Sequence, residues 1–522
     1  MVKKYAIWLI SLMGTGIVFF CFLFWYGSSD RHSDYEIDLQ IPGDKSGSLK
    51  VGFAKKKVIP ENFDPFHDSN SDARYYSKHG DTFIDMNQNG KQDPLWLAGF
   101  HHNRPATKIH DPLWARAMVI DNGISSIALV SIDAIGIFYD DVIDIRKMVP
   151  AEKKPDHIII MATHTHSAPD LIGIWGASEY ESGIDFNYLA HLKQQAVEAI
   201  IQAMDSRAPA KLRLARDHIG AENLQVDTRK PIIKDQSIRI MHAVSTESGE
   251  TLGTLVSWAN HPEVLWDHNL EISSDFPHYL REAIEKGIPS NIPEESITGL
   301  GGITIFANGA VGGLMTTPPD LAIPSSNGPI MKPSFEKAKA VGQNVAKLAL
   351  EAIRSDHVYT INEAKIKIVA KTIQLPLDNQ FFRLGITFGV INRGLSGYQR
   401  RIKTEINAFS IGLAEFITIP GEIYPEIVNA GISAPVGQDF RISPQEIPPL
   451  RLQMQGEFKF VLGLANDFIG YIIPESEWDA QPPWLYNSDT ETYGEVNSLG
   501  GHTAKYIFTN TQQLLQRLHS KN

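Results

Sequence analysis

The apolar positions of the chain fall into two patterns. SSIALVSIDAIGIF (125–138), DHIIIMAT (156–163), TLGTLVSWA (251–259) and GITIFANGA (302–310) are short, nearly unbroken apolar runs, and they predict buried strands. FNYLAHLKQQAVEAIIQAM (186–204) and FEKAKAVGQNVAKLALEAI (335–353) carry apolar residues at helical spacing, and DFPHYLREAIEK (275–286) predicts a shorter helix. Strands alternating with helices predict an α/β fold. Residues 358–420 are richer in short strands, so the sheets are predicted to be mixed, flanked by helices. No break in pattern divides residues 49–522, which read as a single large domain. Residues 287–300 and 317–334 read as long loops containing Pro and Gly.

The N-terminus differs. Ala6 to Trp25 carry no charge, and about 20 helical residues span about 30 Å, the thickness of a bilayer core. Lys3 and Lys4 precede the stretch, which favours a cytoplasmic N-terminus. Residues 1–26 therefore predict a transmembrane anchor, with a cleaved signal peptide as the alternative. The exit FLFWYGSSD is a poor match to the A-x-A-like site that cleavage prefers. Residues 27–48 read as a polar linker. Either reading puts residues 49–522 outside the cytoplasm, periplasmic or extracellular, anchored in one case and secreted in the other.

Composition removes several chemistries. Cys21 is the single cysteine and lies in the apolar stretch, so no intramolecular disulfide, thiolate metal site or cysteine nucleophile serves the rest of the chain. A net charge of −12 without a long basic block argues against a nucleic-acid partner. A metal would have to be held by His, Asp, Glu or Tyr.

Four short segments offer such groups. HIIIMATHTHSAPD (157–170) runs from a strand into His164 and His166. Rings placed there reach the C-terminal end of a strand, where open α/β sheets put their sites; equally, two such histidines can be satisfied by loop carbonyls. WANHPEVLW (258–266) sets His261 after another strand, where a lone histidine is often structural. FITIPGEIYPEI (416–427) exposes Glu422 at a Pro-Gly turn, and GLANDFIGYIIPESEWDAQ (463–481) carries Tyr471 in a strand. A fifth segment, DTFIDMNQNGKQDPLWLAGF (81–100), places Asp85, Asn87, Asn89, Gly90 and Asp93 in the pattern D-x-[DN]-x-[DN]-G-x-x-D. That spacing suits a short calcium loop or a polar Asx-rich turn; Trp96 stands where an EF-hand needs its glutamate.

In order, these segments resemble the neutral/alkaline (non-lysosomal) ceramidase family. Thr163 to Pro169 match its Thr-His-Thr-His-Ser-x-Pro motif. VSIDAIG (130–136), HDPLWARAMVID (110–121), His261-Pro262 with SSDF (273–276), Pro-Gly-Glu and the Gly-Tyr-Ile segment follow in family order. The resemblance runs through most of residues 49–510 and covers the catalytic part of the family, without its C-terminal immunoglobulin-like domain. It implies zinc held by His164, His261, Glu422 and Tyr471. His166 would orient water or steady the oxyanion, and Arg229, in VDTRKP, would lie by the substrate or else in a surface salt bridge. The implied activity is hydrolysis of an amide (N-acyl) bond in a lipid-like or envelope-derived substrate. Two departures bear on it. Met315 stands where the family has a serine, so only Thr316, one residue on, offers a hydroxyl. A family tyrosine falls at Pro483, with Tyr486 nearby. An inactive surface binding protein, or a zinc hydrolase of ester bonds, are the alternative readings.

Overall fold

The computed structural model describes residues 29–520 except 219, 291, 314, 398 and 399, together with residues 8, 14 and 15. The membrane span expected over 6–25 otherwise lies outside the described residues. Among the described residues no helix is long and apolar enough to cross a membrane.

Two sheets form the core. The larger runs in the order Ile303–Ala307, Thr251–Ser257, Ile238–Ser245, Ala208–Asp217, Lys50–Lys57, Trp114–Asp121, Ser126–Ile132, His157–Ala162, with Tyr359–Ile361 pairing to Ala208–Asp217. It is mostly antiparallel, but its two ends are parallel pairs: Ser126–Ile132 with His157–Ala162, and Thr251–Ser257 with Ile303–Ala307. The smaller sheet runs Asp38–Ile41, Ile366–Leu375, Ile402–Ile411, Ala414–Thr418, Phe458–Leu462, and its last pair is also parallel. This is the mixed α/β architecture that the apolar patterning predicts.

Strand alternation assigns each face a partner. Ile127, Leu129, Ile159 and Met161 point between the sheets, against Phe409, Phe416 and Phe460 of the smaller one. Ala128, Val130, Ile158 and Ile160 point the other way, beneath the helix Phe186–Asp205. The far half of the larger sheet is covered by the helices Phe276–Lys286 and Phe335–Arg354 through Ile240, Val256 and Phe306. The outer face of the smaller sheet packs on the C-terminal helix Thr503–His519.

One segment departs from its sequence reading. Within 27–48, read as a linker, Asp38–Ile41 pairs antiparallel with Ile366–Leu375, and Gly47–Ser48 pairs with Glu363–Ala364. DLQI is too short and too polar to signal a strand by itself. The edge of the smaller sheet supplies the partner hydrogen bonds.

Candidate metal centre and adjoining cavity

Each parallel pair ends in a loop that carries one or two of the sequence-predicted groups. After Ala162 the chain turns beside the loop that follows Ile132: Thr163 N–H donates to the Ile132 carbonyl at 2.9 Å, and His164 N–H to that of Ala134 at 2.8 Å. His164 takes a left-handed backbone (φ 73°), which brings its Nδ1 to the Ile135 carbonyl at 2.6 Å and leaves Nε2 facing inward. His261 is held in the same manner from the opposite end of the sheet. Its N–H and its Nδ1 both meet the Met315 carbonyl, at 2.9 and 2.8 Å. Glu422 and Tyr471 come from the smaller sheet, after Thr418 and Leu462, and stand opposite each other in a two-residue parallel ladder.

The four segments meet in a buried cluster. Nε2 of His261 lies 3.1 Å and Nε2 of His164 3.5 Å from the same Glu422 oxygen, Oε2. His164, His166 and His261 each bring a ring nitrogen within 4.8 Å of the others, a grouping able to hold a metal ion. Burial would raise the Glu422 carboxyl, but the two histidines outweigh it and hold it far below the usual carboxylate range. Tyr471 is pushed well up by burial and by the adjacent Glu422 carboxylate.

His166 is pushed well below its ordinary value, first by burial and then by His164 and His261, so the ring is neutral. Both of its ring nitrogens are buried without a hydrogen-bond partner among the described residues. The Glu263 carboxylate lies 3.2 Å from Nδ1 but outside hydrogen-bonding geometry. Gly99 makes room for the ring: a Cβ there would sit 2.7 Å from Cγ and Nδ1. Glu263 and Gly99 are additions to the sequence-predicted set; an acid two residues after His261 was the available signal for the first.

Other expected site residues lie elsewhere. Thr316 is buried, bridges Val226 through its backbone, and keeps Oγ1 unpartnered among the described residues, outside the cavity described below. Arg229 stacks on Tyr424 at 4.2 Å and donates to Glu477 at 2.9 Å, so its ion pair is half-buried rather than on the open surface. Its contact with the cluster is indirect, through Tyr424 edge-on to Tyr471 at 6.2 Å. Asp133, in the VSIDAIG segment, grips Arg281 at 2.8 and 2.9 Å. The 85–93 loop is exposed at Asn87 and Asn89, half-buried at Asp85 and Asp93, and closed by its own hydrogen bonds; Asp93 Oδ2 accepts from the amides of Asn87 and Asn89 at 2.6 and 2.7 Å.

A narrow apolar cavity of about 70 Å³ opens on the cluster. His164, His166, Glu422 and Tyr471 form one end, and Ile172, Trp175, Phe382, Ile386 and Ile391 are among its walls. Such a space accepts an alkyl chain and excludes bulk water from the polar end.

No protein-family model matches the chain, and no curated protein matches it. Solved structures do. Neutral ceramidase from Pseudomonas aeruginosa superposes with a TM-score of 0.61 at 15% identity, over 91% of this chain and 76% of that one. A ceramidase complexed with C2 gives 0.61 at 16% identity, with the same coverages. The chain therefore has the fold of the neutral ceramidases, the family that its ordered motifs resemble.

Proposed function

We propose that the chain is an extracytoplasmic zinc-dependent hydrolase that cleaves an amide (N-acyl) bond in a lipid-like or envelope-derived substrate. One observation carries the reading: His164 and His261 turn their Nε2 atoms onto one Glu422 oxygen while a backbone carbonyl occupies each Nδ1. Metal-binding histidines are commonly fixed in this way, with the second nitrogen committed to a carbonyl. Two neutral imidazoles, a carboxylate and a phenol suit zinc, and the unpartnered nitrogens of His166 fit the polar atoms that would surround it.

When bound, zinc supplies a positive centre that acidifies water and polarises a carbonyl. Within the chain, His164, His261, Glu422 and Tyr471 would hold the ion. His166 remains neutral and directs a ring nitrogen toward the attacking water or the developing oxyanion. Glu263 lies on the other side of that ring. The apolar walls take the acyl chain. Asp85, Asn87, Asn89 and Asp93 are assigned a structural calcium.

Metal analysis of the purified chain tests the proposal. Expected is about one equivalent of zinc, lost in the His164→Ala plus His261→Ala double variant, since removing two ligands all but abolishes binding. A low zinc content that the double variant leaves unchanged would overturn it. A second reading, a binding protein that has lost catalysis, is favoured by Met315 at the family's serine position and by Thr316 lying outside the cavity. A zinc-loaded chain that binds lipid but hydrolyses no N-acyl or ester substrate would support that reading.

A further inference from the structure

The helix Gln380–Thr387 has two apolar faces. Phe382 and Ile386 line the cavity that reaches His164 and Glu422. Phe381, Leu384 and Phe388, spaced for the opposite face, are 79%, 52% and 48% exposed. Across the rim, the loop that supplies Ile172, Ile174 and Trp175 to the cavity also carries Tyr180, which is 80% exposed. The two rims touch: the Asn392 N–H donates to the Ile172 carbonyl at 3.3 Å, and Gly173 packs against the Val390 carbonyl. Arginines flank the apolar helix. Arg383 donates to the Leu377 carbonyl, and Arg400 donates to Thr387 Oγ1 at 2.6 Å.

The start of the continuously described chain lies against this rim. Arg31 donates to Asn392 Oδ1 at 2.7 Å, Lys403 donates to Asp30 at 2.8 Å, and Ser29 packs on Gly394. Their neighbours Ile391, Arg393 and Ile402 are cavity walls. Trp25, the last residue of the uncharged stretch, is four residues before Ser29, a reach of at most about 14 Å. A bilayer holding that stretch must therefore lie close to this rim.

We infer that the helix Gln380–Thr387 and the loop bearing Tyr180 form a docking face for a phospholipid bilayer, so that the cavity opens onto the acyl-chain region. Aromatic and aliphatic side chains enter the interface. A lipid substrate then enters the cavity without crossing water. That last consequence rests on the proposed function; the docking does not.

The test uses the full chain with Cys21→Ser, reconstituted in nanodiscs of phosphatidylcholine and phosphatidylglycerol. A polarity-sensitive fluorophore is placed at Phe381→Cys, at Leu384→Cys or, as a control on the exposed side of a distant helix, at Lys347→Cys. Expected are blue-shifted emission and quenching by chain-labelled lipids at 381 and 384, with neither at 347. Labels at 381 and 384 that stay as aqueous as the control would overturn the docking face. The readout needs no turnover, so its failure is distinct from a failure of the proposed function.

Discussion

Met315 holds His261 by its carbonyl oxygen while its sulfur turns away to accept the Asp235 N–H at 3.3 Å. The residue that departs from the family pattern thus reaches the cluster through its backbone. Met315→Leu is expected to keep full zinc content. Met315→Ser, which empties a fully buried site, should also keep zinc but lose about 2–4 kcal/mol of stability in urea unfolding. Zinc loss in the leucine variant would show that the sulfur itself matters.

Arg281 and Asp133 are both buried, and their bidentate pair braces the loop whose Ile135 carbonyl orients His164. Arg281→Leu strands a buried carboxylate, at a cost of about 3–5 kcal/mol. Adding Asp133→Asn should recover much of that stability. Chelator competition should show zinc bound about 10–100-fold more weakly in the folded double variant, as for other outer partners of a metal-bound histidine. Unchanged affinity would make the pair purely structural.

Asp275 caps the helix Phe276–Lys286 from a fully buried position, and burial pushes its carboxyl up to about 7. The backbone N–H groups of Phe276 and Leu265 oppose that shift without overcoming it. A carboxyl whose folded value is raised contributes stability that is fully present below its unfolded value, near 3.8, and lost as pH rises through about 7. The loss is about 1.4 kcal/mol for each unit of separation. Asp275→Asn removes the titration, so its unfolding free energy should fall less than the parent's between about pH 4 and about pH 7. Parallel curves would exclude this group as the source.

Calcium should raise the melting temperature of the chain, and Asp85→Ala plus Asp93→Ala should abolish the rise. The Asn87 and Asn89 amides now donate to Asp93, so binding requires both to rotate their oxygens inward. A shift that persists in the double variant would place the ion elsewhere.

The larger sheet was legible because its strands are unbroken apolar runs, and its helices because their patterns are long and periodic: DHIIIMAT becomes His157–Ala162, and the 335–353 pattern becomes Phe335–Arg354. The smaller sheet was less so. Ile402–Ile411 buries Glu405 and Asn407 between the sheets and Thr404 on its other face, which breaks the apolar run that would announce a core strand. Glu405 is tolerated there because Arg146 pairs with it across the interface at 2.5 and 2.9 Å. At the cluster, motif order alone pointed to His164, His261, Glu422 and Tyr471. The carbonyls of Ile135 and Met315 left no trace in the sequence, because any residue type supplies that oxygen. The partner of Arg229 was hidden for a related reason: a short motif does not reveal that Glu477 lies opposite it in the fold.

The cluster draws His164 and His261 from one sheet and Glu422 and Tyr471 from the other. Its last member lies 307 residues beyond the first. A chain emerging from a ribosome or translocon cannot assemble it until most of its length is out. A metal held by all four groups could load only after both sheets have formed, and it would then rivet the two sheets together.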